Sequence, residues 1–286
     1  MSIMGVDLGN YSTKTSESIN ILSKCSRQSN ILNNSTTLQT SSGTFYIEEG
    51  EFDTEYRKVK KEYIKELFYT SILLSTNDIA NSIVIGLPLS QFREDKDNLK
   101  QLLLKDRIQI INLNGKERKL ILEDIEVYPE GVGALIGTEF NGVIVDIGGR
   151  TTDVSILENN KVKKPYSIST GTLNLYSDFI KSINSKYSLD LKSEDAARIL
   201  QYGLKIYGEQ KEISFALDVF KAYIDSIVRE LQVSYSIKTL DIMLVGGGSE
   251  LLYKAFKNRI PQAQLIPNSI FANAEGFKKW GLSLWQ

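Results

Sequence analysis

Two apolar runs, each ending in an aspartate followed by glycine and hydroxyl residues, recur at residues 3–14 and 142–153. Ile3-Met4-Gly5-Val6 leads into Asp7-Leu8-Gly9-Asn10-Tyr11-Ser12-Thr13-Lys14. Gly142-Val143-Ile144-Val145 leads into Asp146-Ile147-Gly148-Gly149-Arg150-Thr151-Thr152-Asp153. Both predict a short buried strand running into a turn-rich polar loop. After the first, 15–24 and 44–48 alternate as strands of one antiparallel meander, and the Ser/Asn/Thr-rich stretch from Ser26 to Ser42 reads as a loop between them. From Thr54 to Thr76, charged residues alternate with Val59, Tyr63, Ile64, Leu67, Phe68 and Ile72 near a helical repeat, which predicts an amphipathic helix ended by Asn77 and Asp78. The run SIVIGL at 82–87 is a strand stopped by Pro88, 94–106 a charged helix, and 108–113 and 119–128 two further strands. Pro129-Glu130-Gly131-Val132-Gly133-Ala134 predicts the start of a short helix whose small residues permit close backbone approach.

In the second half, helices are predicted at 171–187, 193–203 and 215–236, the last with Val219, Tyr223, Ile227 and Leu231 on a helical repeat. Strand 242–245 then meets Gly246-Gly247-Gly248, with a helix starting near Ser249-Glu250. The final segment, 273–285, reads as a helix carrying Phe277, Trp280, Leu282 and Leu284 and is expected to pack on the first domain. Trp280 and Trp285 are assigned to packing rather than to a stacking platform. Strands alternating with helices predict an α/β protein.

Composition narrows this. With 286 residues the chain is long enough for two domains. Hydrophobic residues at 42% and five prolines fit an ordered globular protein. Thirty-four basic residues against 35 acidic ones leave a formal charge of −1, so no long-range field draws in nucleic acid or a membrane surface. Cys25 is the single cysteine, which excludes an intrachain disulfide and fits a reducing compartment. The total absence of histidine removes the commonest general base and zinc ligand, so catalysis has to run on carboxylates and amides. The N-terminal run predicts no signal peptide, and no segment approaches the ~20 apolar residues of a membrane span.

Three loops carry the candidate chemistry. An aspartate at each strand end, Asp7 and Asp146, suits a hydrated Mg²⁺, which keeps several waters and takes one or two carboxylates beside substrate phosphates. Backbone amides around Gly9, Asn10, Tyr11, Ser12 and Thr13, and around Gly148, Gly149, Arg150, Thr151 and Thr152, are placed to donate to phosphate oxygens, with Lys14 to neutralise their charge. The alternative for Ser12 and Thr13 is turn capping, and for Lys14 and Arg150 a solvated position. Gly246, Gly247 and Gly248 leave room for a flat base before a helix N-terminus.

In order, these segments resemble the phosphate 1, connect 1, phosphate 2, adenosine and connect 2 motifs of the actin, sugar kinase and chaperone ATPase superfamily. Asp7 to Lys14 resembles phosphate 1, and its lysine is like that of actin and the ParM-like proteins. Asp146 to Asp153 resembles phosphate 2, although Arg150 departs from the glycine or threonine common there, so it either stabilises phosphate charge or points outward. Residues 244–252, LVGGGSELL, resemble the adenosine motif, Pro129-Glu130 heads connect 1, and Asn273-Ala274-Glu275-Gly276 resembles connect 2.

The resemblance implies the actin-like ATPase fold, two related RNase H-like domains with a nucleotide cleft between them. Domain I is expected at 1–141 plus 270–286 and domain II at 142–269. It also implies ATP/ADP, or GTP/GDP, with Mg²⁺ held through water by Asp7 and Asp146. Glu130 occupies the place from which ParM-like proteins position or deprotonate the attacking water, and Glu130 and Asp146 are the catalytic residues expected. Among relatives, a bacterial, cytoplasmic, filament-forming plasmid-segregation ATPase fits best, with itself and a DNA-binding adaptor as partners and no direct nucleic acid or membrane contact. A small-molecule kinase of the same fold and a cell-shape or division actin are the alternatives. A peptide-binding chaperone is not expected, because the chain ends about ten residues after connect 2.

Overall fold

Strand β1, Ser2–Leu8, is buried at every position after its first, and the rest of its domain is arranged on it. The structure is a computed structural model that describes residues 1–29 and 34–286. Following β1 are β2 (Ser12–Thr15), β3 (Asn20–Leu22), β4 (Lys24–Ser26), β5 (Thr36–Thr40), β6 (Gly43–Phe52), helix α1 (Ile64–Ser75), β7 (Ala80–Leu87), α2 (Leu89–Leu104), β8 (Ile108–Leu113) and β9 (Lys116–Pro129). The strands form one sheet ordered β3-β2-β1-β7-β9-β8-β5-β6-β4.

The second half comprises β10 (Gly142–Ile147), β11 (Thr152–Glu158), β12 (Lys161–Ile168), α3 (Thr172–Tyr187), α4 (Asp195–Tyr202), β13 (Leu204–Ile206), β14 (Glu209–Lys211), α5 (Asp218–Ser234), β15 (Asp241–Val245), α6 (Gly247–Arg259), β16 (Ala263–Leu265) and α7 (Ala272–Trp285). Its main sheet is ordered β12-β11-β10-β15-β16, and β13 and β14 form a separate hairpin.

The repeat seen in the sequence is a repeat of topology. β1 pairs antiparallel with β2 and parallel with β7, while β10 pairs antiparallel with β11 and parallel with β15. The outer strands repeat the same senses, β2–β3 and β11–β12 antiparallel, β7–β9 and β15–β16 parallel. Each sheet has its own apolar core, one around Met4, Phe45 and Phe68, the other around Phe179, Phe220 and Phe256. A smaller cluster of Val132, Ala134, Leu135, Ile144, Val245 and Ala272 joins them. Open parallel sheets bind ligands beyond the carboxyl ends of their strands, here the ends of β1, β10 and β15.

Several local expectations are corrected. Residues 15–24 do not form one strand, because Ser18 turns at φ 61° and separates β2 from β3. β3 and β4 then lie at opposite ends of the strand order rather than in one meander with β6. The stretch read as a loop from Ser26 to Ser42 contains β5, which pairs with β6 and β8; its residues 30–33 lie outside the described residues. The helix expected from Thr54 begins only at Ile64. Before it, the Asp53 carboxylate accepts from the Glu55 and Glu62 amides (2.7 and 3.0 Å) and Glu55 accepts from the Arg57 amide (2.9 Å), local bonds that compete with a helix.

The short helix expected at Pro129 is displaced as well. β9 continues through Pro129, the Glu130 amide donates to the Leu87 carbonyl at 3.0 Å, and only a 3₁₀ turn forms at Gly133–Leu135. Helix α6 starts at Gly247 rather than near Ser249, with Gly246 at φ 85° making the entry. Exposed, charged β12 carries no apolar alternation to announce it.

α7 lies on β1 and β7 at very short range, and glycine makes this possible. A Cβ on Gly5 would overlap the Ala274 carbonyl oxygen, and one on Gly276 would overlap that of Gly133. A Cβ on Gly247, by contrast, would meet nothing within 4 Å. Gly276→Ala is therefore expected to cost about 1–3 kcal/mol as overpacking, read as a lower urea midpoint, while Gly247→Ala leaves the midpoint at or above the wild-type value. Equal midpoints for the two variants would contradict the close packing of α7.

Candidate active site

Five chain segments converge on one cleft between the two sheets. β1 delivers Asp7 and the turn after it places Gly9, Asn10, Tyr11 and Ser12 on the wall, with Lys14 returning on β2. β10 delivers Asp146 opposite, followed by Gly148, Gly149 and Thr151, with Asp153 on β11. Gly246, Gly247 and Gly248 at the start of α6 form a third wall. Glu130 enters from the turn after β9, and Asn273 from the first turn of α7.

The cleft floor is a set of buried carboxylates. Asp7 is 6% exposed and accepts from the Lys14 ammonium at 3.2 Å. Asp146 is 7% exposed and accepts from Asn273 Nδ2 at 3.0 Å, while Asn273 Oδ1 accepts from the Gly131 amide at 2.9 Å. One side chain of α7 thereby ties the connect-1 turn to the second sheet. Burial is the largest influence on these acids. It pushes the Asp146 carboxyl up to about 7 and Asp153 up to about 6, with the Asp7 charge adding to the first and the Glu130 charge to the second. Glu130 is raised too, by burial and by Asp7 and Asp146, against the opposing pull of the Lys58 ammonium, with which it pairs.

Glycine keeps the two phosphate-type loops in contact. A Cβ on Gly149 would stand 2.8 Å from the Tyr11 nitrogen, and one on Gly246 would run into the Asp146 carboxylate. At the rim, the Tyr11 ring stacks on Phe52 with centroids 5.4 Å apart and meets Tyr176 of α3 edge-on at 6.2 Å. Lys24 of β4 reaches Glu194 beside α4 at 2.7 Å, a second link between the halves.

Three residues expected from the sequence lie elsewhere. Thr13 is fully buried and its hydroxyl bonds Ser23 at 3.1 Å. Thr152, also fully buried, donates to the Thr170 carbonyl at 3.1 Å and bonds the Tyr223 hydroxyl. Arg150 does not line the cleft, and its Nε is buried without a hydrogen-bond partner. Other cleft residues escaped the sequence reading. Lys58 lies in the segment read as an amphipathic helix from Thr54 to Thr76, where it is one of the charged residues alternating with Val59 and Tyr63. Asn273 and Asp153 stood in recognised motifs without an assigned role, and Tyr176 carried no signal beyond its helical position.

The donor set fits a hydrated divalent cation and a phosphate-bearing ligand. Among the described residues no three potential ligands converge to cage a metal directly. Two carboxylates from opposite strand ends match a cation that keeps its waters and shares substrate oxygens. Asn10 Oδ1 and Asp153 Oδ1 are buried without partners in the same cleft, and the open face at Gly247 offers space for a bulky group.

Comparison with known proteins places this geometry. Residues 5–133 match a family described as actin like proteins N terminal domain, and residues 144–258 match one described as archaeal actin homologue MreB-like, C-terminal. The chain is an actin-like protein. No curated protein matches it by sequence. Among solved structures, it resembles a 15-stranded ParM filament from Clostridium botulinum with 21% identity and a TM-score of 0.81, covering 98% of this chain and 99% of that one. An archaeal actin homolog, Ta0583, in complex with ADP, is similar with 18% identity and a TM-score of 0.81 over 98% of both chains. The Alp12 filament structure follows with 19% identity and a TM-score of 0.70 over 99% of both chains. This actin-like chain therefore has the two-domain α/β fold expected from its motifs.

The raised carboxyls set a pH dependence whose sign can be worked out. A carboxyl whose folded pKa lies above its unfolded value of about 4 binds its proton more tightly in the folded protein, so its stabilising contribution is full at low pH and is lost as pH rises through the folded value. For Asp153 and Asp146 that loss begins near the unfolded value of about 4 and is complete above about 6 and about 7. The ligand-free actin-like protein is expected to lose melting temperature between about pH 5 and pH 8, and Asp146→Asn to melt above wild type at the upper end of that range. A flat profile, or an Asp146→Asn variant melting below wild type at high pH, would contradict the assignment.

Proposed function

We propose that this chain is a nucleotide-driven, filament-forming actin-like ATPase that segregates plasmid DNA through a DNA-binding adaptor in the bacterial cytoplasm. The observation that carries the reading is the opposition of Asp7 and Asp146 at the ends of two topologically equivalent strands, with Glu130 entering between them from the connect-1 turn. The division we adopt is domain I at 1–141 plus 270–286 and domain II at 142–269.

In this reading the amides and hydroxyls from Gly9 to Ser12 and from Gly148 to Thr151 hold the phosphates, Lys14 offsets their charge, and Gly246, Gly247 and Gly248 bound the base of ATP or GTP. Asp7 and Asp146 hold Mg²⁺ through water, which supplies charge neutralisation to the phosphate oxygens when bound. Glu130 orients the attacking water and accepts its proton as the water oxygen bonds the terminal phosphorus and the bond from that phosphorus to the nucleoside diphosphate breaks. In a chain without histidine, a carboxylate raised by burial is the base at hand. Nucleotide bridging both walls favours the closed arrangement of the domains, and hydrolysis weakens that bridge. A head-to-tail contact selected by the closed form extends into a filament because it does not close on itself. The ParM and Alp12 filament structures, which share the fold, support this step.

The match of residues 144–258 to an MreB-like family favours a second reading, a cytoskeletal actin acting in cell shape or division. Among the described residues no helix is long and apolar enough to cross a membrane.

Light scattering and sedimentation with Mg²⁺ and ATP, GTP or a slowly hydrolysed analogue, beside phosphate release, test the proposal. Pelleting that requires nucleotide and decays as phosphate appears is the expected result; nucleotide binding without assembly would instead favour a small-molecule kinase. Glu130→Ala is expected to bind nucleotide normally, to hydrolyse it about 10²-fold or more slowly, and to give longer-lived filaments. Asp7→Ala is expected to lose Mg²⁺-nucleotide binding itself. Wild-type turnover by the Glu130 variant would remove it from the reaction.

A further inference from the structure

Lys58 is a cation in a place where a cation is costly. Only 2% of the residue is exposed, and its ammonium donates to the Gly86 carbonyl at 3.0 Å and to Glu130 Oε1. The segment that carries it is a single 3₁₀ turn, Lys58–Lys60, far too short to fix a side chain unaided. It is fastened to α2 instead. Gln91 Oε1 accepts from the Lys58 amide at 2.9 Å, Gln91 Nε2 donates to the Tyr56 carbonyl at 2.8 Å, and the Arg57 guanidinium forks onto fully buried Asp95, with Nε to Oδ2 at 2.8 Å. Gly86 completes the fit, since a Cβ there would stand 3.0 Å from Glu130 Cγ and 2.7 Å from the Phe277 ring.

A buried ion pair adds little net stability over an apolar pair of the same shape, so stability is a poor reason for this construction. Its geometric consequence is specific. A glutamate has three side-chain torsions, and the ammonium fixes one of its two oxygens, leaving Oε2 as the acceptor for a proton from water.

We propose that Lys58 is the positioning residue of the hydrolytic step, acting through Glu130 by fixing the orientation of its carboxylate in the cleft. The inference rests on the nucleotidase reading above. Burial and the facing charges of Asp7 and Asp146 work to neutralise Glu130, and Lys58 is the cation bonded to it that keeps it available as a base. Lys14 is engaged with Asp7, at 3.2 Å.

The experiment is steady-state phosphate release, with nucleotide affinity measured by a fluorescent analogue, for wild type, Lys58→Met, Glu130→Gln and the double variant. Lys58→Gln, which keeps a donor for the Gly86 carbonyl, runs beside them to separate loss of the cation from loss of that bond. Lys58→Met and Lys58→Gln are expected to lower kcat about tenfold or more with affinity changed less than about threefold. Adding Lys58→Met to Glu130→Gln is expected to change kcat less than about twofold, because a residue that acts through another has no effect once that other is gone. Equal losses of kcat in both backgrounds, or a loss of affinity with kcat unchanged, would overturn the role of Lys58 and leave the nucleotidase reading standing. No phosphate release from wild type would overturn both.

Discussion

Burial of several carboxylates in one cleft, with their mutual repulsion added to it, is the constraint on which this structure turns. Asp7, Asp146, Asp153 and Glu130 share one cleft in which the ammonium groups of Lys14 and Lys58 are the paired cations. A buried carboxylate without a counter-charge either takes up a proton or acquires a cation. Burial pushes Asp146 and Asp153 toward the first course, raising their carboxyls to about 7 and about 6. In the proposed reading, a hydrated divalent cation held by Asp7 and Asp146 would be the second. In the proposed reading, binding and stability would be coupled through the same groups, because ionising them for the ligand works against their burial.

The geometry that brings those groups together comes from a duplicated topology and from glycine. The same strand order and strand senses place an aspartate at the end of β1 and another at the end of β10. The two halves approach where side chains are missing, Gly149 against Tyr11, Gly246 against Asp146 and Gly276 against Gly133. Asn273 then spans the junction, one amide group reaching both the Gly131 backbone and Asp146. Asp146 of the second sheet, α7 and the turn that carries Glu130 are thus joined through one side chain.

Much of this was legible in the chain, for reasons that can be named. β10 is buried throughout, β1 after its first residue and β15 over most of its length, all three end in acidic or glycine-rich loops, and such strands write their burial as continuous apolar runs. Helices α3, α4, α5 and α7 carry clear apolar faces and fell within a few residues of their expected limits. The failures are also physical. The region before α1 is charged and periodic, yet carboxylate-to-amide bonds at Asp53 and Glu55 hold it out of a helix. Lys58 looks like any surface lysine until tertiary structure buries it. Thr13 and Thr152 have the composition of phosphate ligands, but their hydroxyls are consumed by Ser23 and by Thr170 and Tyr223.

The central claim is that cleft carboxylates held neutral in the empty protein must ionise to take the metal and nucleotide. Calorimetry of Mg²⁺-ADP binding near about pH 6.5, repeated in buffers of different ionisation enthalpy, counts the protons exchanged. The account predicts that wild type releases more protons on binding than Asp146→Asn does. Identical proton counts for the two proteins would contradict it.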